Sequence, residues 1–517
     1  LVLISAGKTL PRQFIMHITK VHIRLAFRSL FLRRQGIKWT RSEPILAAKC
    51  MQKQMNFSTT LPFDAIPGPS RFENFVRYIR QGSRDYHLFL EKNFKQYGPI
   101  FKFVMPGVKV VHVCDPDDIE RVYRNEGFPP SRGDLLASTA YYREKGLPTG
   151  LNGGDDGWQG QRSAVSSKFL RPRELRPFFE EMCNIADDAV ENFKEGRNLD
   201  ISEKINMLVV ENVGTLLFGV RFHLTGPSPD PKALELANSV LQHFTAESKL
   251  LFSIPFHEYF KTPTLKDLYR CLDKEWELGE HFMEKSSQMS SPLTSKCVAQ
   301  RITKEAKMPQ EEIQQFIESV FSAGVHTTSS TLIVLLHTLG KQPEAQQTIY
   351  DEIQRVLKCD SKQSTYEQFR KMAYLKAFMK EVFRTHPTPV GNVRILENPM
   401  VLCGYNVPAG IRIILSAVRT ETMQEKSYGS DFATFAPERW LHGSKSMHPF
   451  ASLPFGFGPR MCLGKRFVEL KMAIFLICLL QKYEVVDSKL EEDQVEWYFN
   501  IIHTPTKPYN LTLKKRF

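Results

Sequence analysis

A glycine-rich turn that holds one cysteine constrains this chain more than any other stretch of its sequence. The turn reads Phe-Gly-Phe-Gly-Pro-Arg-Met-Cys-Leu-Gly over Phe455–Gly464, and a helical pattern opens directly after it. Glycines let the backbone pass close to a large flat ligand, and such a loop can aim amide N–H groups at the sulfur of Cys462. Arg460 is placed to meet an anionic group on the same ligand. The turn therefore predicts haem iron held by the Cys462 thiolate, against the alternative of a small buried cysteine.

The spacing Phe-x-x-Gly-x-Arg-x-Cys-x-Gly resembles the haem-binding loop of the cytochrome P-450 family. The resemblance implies a mainly α fold with a small β region, built as a single large haem-binding domain. It implies haem b (iron protoporphyrin IX) as the cofactor, with Cys462 as the axial ligand of the iron. Phe455 and Arg460 are implied as further cofactor-binding residues.

Most of the positive charge of the chain lies at its N-terminus, so the basic balance does not imply a nucleic-acid partner. The net charge is +13, and residues 1–60 hold eleven basic side chains against the single acidic Glu43. Apolar residues alternate with the basic ones along one helical side, which is typical of a mitochondrial targeting peptide. We therefore expect a leader over residues 1–58 and a catalytic domain over residues 59–517. A basic disordered tail is the alternative for the leader.

The nine cysteines are scattered, odd in number and without a Cys-x-x-Cys pair. This pattern argues against a disulfide framework and against a zinc site, and it favours a reducing compartment. The sequence shows no internal repeat and no linker rich in Pro, Gly and Ser in its middle. One large domain after a short leader fits these features best.

A second motif lies in the uncharged segment Ser319–Gly340, which is too rich in polar residues for a membrane span and predicts a long buried helix. Its Ala-Gly-Val-His-Thr-Thr stretch, which begins at Ala323, resembles the family's oxygen-activation motif. The resemblance implies that Gly324 lets the helix open and that Thr327 helps to deliver protons to oxygen. His326 stands where the family has an acid. A histidine can relay protons near neutral pH, and the alternative is a helix histidine satisfied by a neighbour.

Three further residues are predicted to contact the carboxylates of the ligand. Trp158 and Arg162 are four residues apart and share a helix face, where an indole N–H and a guanidinium suit a carboxylate. The matching Trp-x-x-x-Arg of the family contacts a haem propionate, and Arg394 matches another propionate contact. A simple Trp/Arg stacking pair is the alternative for Trp158 and Arg162.

The segment that follows the oxygen-activation motif, which we term the distal motif, predicts a structural charge cluster. Glu381 and Arg384 are three residues apart in a helical pattern and meet on one face, which alone is a common surface pair. The stretch Pro-Glu-Arg-Trp that contains Arg439 resembles the second arginine motif of the family. The resemblance implies a buried Glu-Arg-Arg cluster that braces the cysteine turn.

A cysteine-ligated monooxygenase needs two electrons from outside. The sequence shows no dinucleotide-binding fingerprint and no flavin domain, so we expect a separate protein to donate them. Four basic residues are candidates for the contact with that donor: Lys376, Lys380, Lys465 and Arg466. They match the basic positions of animal mitochondrial members of the family, whose partner is an acidic iron–sulfur ferredoxin with an NADPH-dependent reductase. An ordinary solvated basic face is the alternative.

Together the motifs predict a haem-thiolate monooxygenase that hydroxylates a hydrophobic small molecule, sterol- or steroid-like or a xenobiotic, with O₂ and ferredoxin electrons. The apolar, turn-prone stretch Leu250–Phe260 predicts either peripheral membrane contact or core packing. The expected location is the mitochondrion, at the matrix side of the inner membrane. Two other functions stay open: a thiolate-haem isomerase or lyase that acts on peroxides, and a non-catalytic haem-binding protein.

Overall fold

A computed structural model describes residues 60–516, apart from 82–84, 106–107, 135, 152, 154–157, 170, 252–255, 307, 358–364, 420, 442–446, 488–494 and 501. The chain separates into two compact units, Leu1–Thr60 and Leu61–Phe517. The leader predicted over residues 1–58 lies outside the described residues. All elements below belong to the second unit.

Helices form most of the described chain, and the prediction of a mainly α fold with a small β region is confirmed. Local sequence explains individual helix starts: the Asp115 carboxylate accepts the N–H groups of Asp117 and Asp118, with Pro116 in the first turn. The α-helices are α1 (Arg71–Gln81), α2 (Tyr86–Tyr97), α3 (Pro116–Arg124), α4 (Ser138–Glu144), α5 (Trp158–Phe169), α6 (Pro172–Leu175), α7 (Phe179–Glu191), α8 (Ser202–Phe218), α9 (Pro231–Leu251), α10 (Pro263–Gln288), α11 (Val298–Glu305), α12 (Gln310–Lys341), α13 (Pro343–Leu357), α14 (Tyr366–Lys371), α15 (Ala373–Thr385), α16 (Glu421–Tyr428) and α17 (Lys465–Lys482).

The strands form small sheets beside the helices. They are β1 (Ile100–Met105), β2 (Val108–Val113), β3 (Gly196–Asn198), β4 (Gly391–Ile395), β5 (Met400–Leu402), β6 (Tyr405–Val407), β7 (Arg412–Ser416), β8 (Tyr483–Val486), β9 (Trp497–Asn500), β10 (Ile502–Pro505) and β11 (Leu511–Lys515). The largest sheet of the described chain has the order β1-β2-β7-β4. Strand β4 runs antiparallel to β7 with Arg394 opposite Ile413, so this sheet fixes the backbone of one predicted propionate contact.

The C-terminal hairpin corrects one expectation. The sequence from Glu496 onward predicts a hairpin around Thr504-Pro505, but the register pairs Ile502 with Asn500 and Pro505 with Trp497, so Thr504 and Pro505 lie within the paired strands. Pro505 is the last residue of β10, where a missing N–H costs no ladder hydrogen bond within the strand. Proline therefore marks the end of this strand and not the turn.

Helix α12 runs through the interior of the fold, against α8, α9, α10 and α17. Among the described residues it is the helix that is long and apolar enough to cross a membrane, yet 72 % of its apolar window is buried inside the protein. Its apolar side chains, such as Phe316 and Leu335, belong to the main hydrophobic core. The structure thus agrees with the expectation of a helix buried in protein.

Candidate active site

The cysteine turn is closed by its own backbone. The N–H of Cys462 donates to the carbonyl of Phe455 at 2.8 Å, and the N–H of Met461 donates to the carbonyl of Gly458 at 3.0 Å. Gly456 and Gly458 have φ values of 71° and 76°, in the left-handed region that a side chain would strain. The glycines are therefore required by the path of the turn.

The Cys462 thiol lies just before helix α17, where free amide groups point outward. The N–H groups of Gly464 and Lys465 lie at the sulfur, and the Arg162 guanidinium is also close. Burial raises the pKa of the Cys462 thiol, and these N–H groups and Arg162 oppose that rise. The amide groups and the guanidinium are placed to stabilise a thiolate once a metal displaces the proton.

The predicted pair on α5 meets the cysteine turn. The guanidinium of Arg460 lies 4.3 Å from the centre of the Trp158 ring, and its Nη1 donates to the carbonyl of Gly153 at 3.3 Å. Arg162 donates to the carbonyl of Met461 at 2.7 Å. Trp158 therefore stacks with Arg460 and not with Arg162, while Arg162 supports the turn itself.

Arg394 is already paired with a carboxylate that sequence reasoning missed. Its Nε donates to Glu126, and its Nη1 donates to the carbonyl of Val393 at 2.8 Å. Burial raises the pKa of Glu126 even though Arg394 attracts its charge. The second oxygen of Glu126 has no hydrogen-bond partner among the described residues. Glu126 therefore shares Arg394 with any anion that enters the site.

Arg132 joins the predicted arginines and was not anticipated. Its Nη2 donates to the carbonyl of Leu151 at 2.7 Å, and its buried Nε has no hydrogen-bond partner in the described chain. The pKa of Arg132 is lowered to about 9. Burial is the main cause, and repulsion by the guanidinium groups of Arg460, Arg394 and Arg162 adds to it. We term these four residues the arginine cluster. Four cations with Glu126 as an interspersed acid form a site for further anionic groups.

The distal side of the site is formed by helix α12. Ala323 is exposed although its neighbours Phe321, Ser322 and Val325 are buried, so this face borders accessible space inside the fold. Cys462 is likewise only half-buried. A thiol, an excess of guanidinium groups and a small side chain on α12 fit haem b, a ligand that carries two carboxylates.

The distal motif keeps its helix intact. The resemblance implies an opening at Gly324, but α12 is continuous from Gln310 to Lys341. The hydroxyl of Thr327 donates to the carbonyl of Ala323 and that of Thr328 donates to the carbonyl of Gly324, each at 2.8 Å. Such hydroxyls add a second donor to each carbonyl without breaking the helix.

His326 packs against helix α9. Its ring is stacked on Phe244 with centroids 4.1 Å apart, and its Nε2 lies 3.4 Å from the carbonyl of Leu241. Burial lowers the pKa of His326 to about 4. The hydrogen bond to the Leu241 carbonyl acts in the opposite direction but is weaker, and the charge of His243 lowers the pKa further. A neutral imidazole has one donor and one acceptor nitrogen, so it can pass a proton from one side to the other.

The predicted charge cluster behind the site is formed by its three residues. Arg384 donates to both oxygens of Glu381 at 2.7 and 2.8 Å, and Arg439 donates to Glu381 at 3.1 Å. Burial alone would raise the pKa of Glu381, but hydrogen bonds from Arg384, the Ala436 N–H and Trp440 keep it below its usual value. Both arginines also donate to the carbonyl of Thr434, so the cluster fixes the 431–436 segment.

The four predicted partner-binding cations surround one carboxylate. Burial raises the pKa of Glu469 against the attraction of its cationic neighbours, which are Lys465, Arg466, Lys380 and Lys376. Lys380 and Arg466 are exposed. Lys376 is half-buried and donates to the carbonyl of Arg370 at 2.8 Å, with its ammonium 4.5 Å from the Phe369 ring centre. Lys380 and Arg466 are therefore the most available of the four.

Comparison with known proteins agrees with this architecture. The chain is 30% identical to probable cytochrome P450 12d1 proximal, mitochondrial, of Drosophila melanogaster, over 94% of this chain and 98% of the relative. It is 29% identical to cytochrome P450 12b1, mitochondrial, of Drosophila acanthoptera, over 86% and 88%. It is 26% identical to 1,25-dihydroxyvitamin D(3) 24-hydroxylase, mitochondrial, of Rattus norvegicus, over 87% and 89%. The Cytochrome P450 family matches residues 66–513, and the chain therefore belongs to this family of monooxygenases that bind haem b.

Proposed function

We propose that this cytochrome P450 hydroxylates a hydrophobic small molecule, sterol- or steroid-like or a xenobiotic, with O₂ and electrons from an acidic iron–sulfur ferredoxin. An NADPH-dependent reductase would supply the ferredoxin. The observation that carries the proposal is the group of four cations around Glu469, directly beside the cysteine turn. Complementary charge steers an acidic partner to such a surface and fixes its orientation. A partner docked there would deliver electrons from the cysteine side.

The names of the relatives support the compartment and the substrate class. Two Drosophila relatives and the rat relative are named as mitochondrial proteins. The rat relative is named a hydroxylase of 1,25-dihydroxyvitamin D(3), which supports a sterol- or steroid-like substrate for this chain. The basic N-terminal residues are consistent with the same compartment.

Peripheral membrane contact is proposed at the end of the Leu250–Phe260 stretch. Tyr259 and Phe260 are 77 % and 69 % exposed, and Lys261 follows them. Aromatic rings beside a cation suit the boundary between headgroups and acyl chains. Residues 252–255 of the stretch lie outside the described chain. We propose that this contact is with the inner mitochondrial membrane, on the matrix side.

In this proposal some residues of the site bind the cofactor and others transfer protons. Haem b, held by the Cys462 thiolate and by the arginine cluster at its propionates, supplies the oxygen-activating chemistry when bound. Thr327 keeps its hydroxyl proton at the carbonyl of Ala323 and can accept a hydrogen bond through its other lone pair. His326 accepts a proton on one ring nitrogen and releases one from the other. We propose these two side chains as the last groups on the path of protons to the distal side.

An isomerase or lyase that acts on peroxides is the second candidate function. The observation that favours it is His326 in place of the family's acid, because a peroxide substrate needs no external electrons and fewer delivered protons. The cations around Glu469 and the retained Thr327 favour the monooxygenase.

Reconstitution separates these functions. Sterols, steroids and xenobiotics are first screened for the shift of the haem absorption band that marks substrate binding. Each binder is then incubated with NADPH, ferredoxin and reductase, and a parallel sample receives its hydroperoxide alone. We expect a hydroxylated product that requires all three components and O₂. Conversion of the hydroperoxide without them, and no product with them, would show an isomerase or lyase. Failure of both arms would leave a non-catalytic haem protein.

A further inference from the structure

A second group of buried titratable side chains lies where helices α9, α10 and α12 meet. We term His243, Glu247, Glu275 and Glu318 the distal cluster. His243 Nδ1 lies 3.1 Å from both carboxylate oxygens of Glu275, and its Nε2 lies 3.7 Å from Oε2 of Glu247. Burial disfavours a charge on His243, but the carboxylates of Glu275 and Glu247 outweigh it and raise its pKa to about 10. The imidazole therefore stays protonated at neutral pH.

Two of the three carboxyl groups in the distal cluster have hydrogen-bond donors. Glu275 faces the His243 imidazolium. Glu247 accepts the N–H of Ala137 and, at 3.1 Å, the N–H of Ser138, at the start of helix α4. Glu247 and Glu275 therefore each have hydrogen-bond donors within the described chain.

Glu318 has no such support. It is 4 % exposed, and neither of its carboxyl oxygens has a hydrogen-bond partner among the described residues. Burial and the negative charge of Glu275 raise its pKa well above the usual value, against the nearby Gln314 and His243. Tyr142 of α4 also lies near it. Its surroundings therefore favour the protonated form of Glu318, and neither carboxyl oxygen has a partner within the described chain.

Glu318 lies on the same stripe of α12 as His326. Glu318, Ser322 and His326 are spaced at four-residue intervals, which places successive side chains about 6 Å apart on one helix face. The Ser322 hydroxyl lies 3.4 Å from Nδ1 of His243, and the charge of His243 in turn reaches His326. One bridging water is large enough to span a gap of this size between two polar side chains. The stripe thus places Glu318, Ser322 and His326 in one row on α12.

We propose that Glu318 is the proton donor that supplies His326 through Ser322, with His243 as the positioning residue for Ser322. The assignment rests on the proposed monooxygenase function and replaces the missing acid of the distal motif by one two turns earlier on the same helix. The other members of the distal cluster are paired with one another or with backbone N–H groups. Glu318 is the member whose proton is not used by a hydrogen bond within the described chain.

The proton balance of the proposed step closes without any further reagent. Hydroxylation consumes two protons and two electrons, as one oxygen atom enters the product and the other leaves as water. For each proton, Glu318 gives up its O–H proton to the row and becomes a carboxylate. Ser322 accepts one proton and releases its own, and His326 does the same across its ring. The Glu318 carboxylate, which burial disfavours, regains a proton from solvent before the next transfer.

The test compares Glu318→Gln with Glu311→Gln, an exposed glutamate of the same helix, in the haem-loaded protein. Infrared spectroscopy in H₂O and D₂O first detects the C=O band of a protonated carboxyl, independently of turnover. The fraction of NADPH electrons recovered as product, KM and the solvent isotope effect are then measured in the ferredoxin system. Ser322→Ala is a second variant that removes the relay but keeps the acid.

We expect Glu318→Gln to lose the isotope-sensitive carboxyl band and about tenfold in coupled product formation, with KM unchanged and peroxide release increased. Ser322→Ala should keep the band and lose coupling, and Glu311→Gln should change neither. A retained band in Glu318→Gln, or wild-type coupling and isotope effect in it, would overturn the proposal while the monooxygenase function stands. No product from the wild-type protein with all components would instead overturn the proposed function, and the relay with it.

Discussion

The arginine cluster and the distal cluster are two buried groups of charges with opposite compositions. The first gathers four guanidinium groups together with the acid Glu126, which is paired with Arg394, and the second gathers three carboxyl groups around the base His243. Both contain polar atoms that no described residue satisfies: the Nε of Arg132 in the first, and both oxygens of Glu318 in the second.

The difference between the clusters follows from the chemistry of their side chains. A guanidinium does not release its proton near neutral pH, so an excess of arginines has to be neutralised by anions from outside the chain. A carboxyl group can instead keep its proton and become neutral. The two compositions therefore account for the proposed site for the carboxylates of a cofactor in one case and for the proposed store for a proton in the other.

The largest expected effect is that of replacing Cys462. Cys462→Ala should abolish the red-shifted absorption band of the reduced carbon monoxide complex and all ferredoxin-driven turnover, because it removes the proposed axial ligand. Cys478→Ala, a buried cysteine of helix α17, is the matched control and should keep both. Persistence of the band in Cys462→Ala would show that another group binds the iron.

The arginine cluster is tested by replacing Arg132, the member that the sequence did not predict. Arg132→Gln should weaken haem binding by about tenfold to a hundredfold, because it removes one charge-assisted hydrogen bond to an anionic group in a buried site. The rate of haem transfer to an excess of apomyoglobin measures the loss. Arg124→Gln, an exposed arginine paired with Glu120, is the control and should transfer haem at the wild-type rate. An equal rate in both variants would remove Arg132 from the cofactor site.

The distal cluster predicts that Glu318→Gln changes how the free energy of unfolding depends on pH. Burial and the negative charge of Glu275 raise the pKa of Glu318 in the folded protein well above its value in the unfolded chain, so its contribution to the free energy of unfolding falls as pH rises above about 4.5. Glu318→Gln cannot ionise and lacks this loss. We expect the difference in stability between the variant and the wild type to change in favour of the variant as pH rises from about 5.

Denaturant titrations at several pH values measure this difference. Glu311→Gln, whose parent side chain is exposed, should show no pH-dependent gain. A stability difference for Glu318→Gln that is constant or shrinks with rising pH would mean that Glu318 is ionised in the folded protein.

The smallest effects are expected at the exposed cations beside the cysteine turn. Lys380→Gln should weaken the binding of an acidic ferredoxin about fivefold at low salt, and Glu469→Gln should strengthen it, because the carboxylate of Glu469 competes with those of the partner. Lys304→Gln, an exposed lysine of α11, is the control. Affinities measured at several salt concentrations show the effects. Unchanged affinity in both Lys380→Gln and Glu469→Gln would place the partner elsewhere.

The parts of the site that sequence could predict are those carried by short-range spacing. The cysteine turn, the Glu381–Arg384 pair and the long helix around Ala323 all depend on residues within one or two turns of each other. Arg132 could not be found in this way, because its role arises only when four segments far apart in sequence converge. A lone arginine after two prolines carries no pattern that distinguishes it from a surface residue.

Glu318 was missed for a related reason. The sequence shows one charged residue among the apolar positions of α12, but its state depends on His243 and Glu275, which reach it from two other helices. The hairpin turn was misplaced because proline was taken as the turn residue, whereas strand register decided the reversal. Tertiary packing therefore decides which charged groups lose their partners, and sequence spacing alone does not.

Incorporation of labelled oxygen tests the central claim most directly. A substrate found by the haem spectral shift is incubated with ¹⁸O₂, NADPH, ferredoxin and reductase, and the product is analysed by mass spectrometry. One ¹⁸O atom in each product molecule, with none from labelled water, is the predicted result. A product without ¹⁸O, formed equally well from a hydroperoxide when the reductase is omitted, would contradict a ferredoxin-driven monooxygenase.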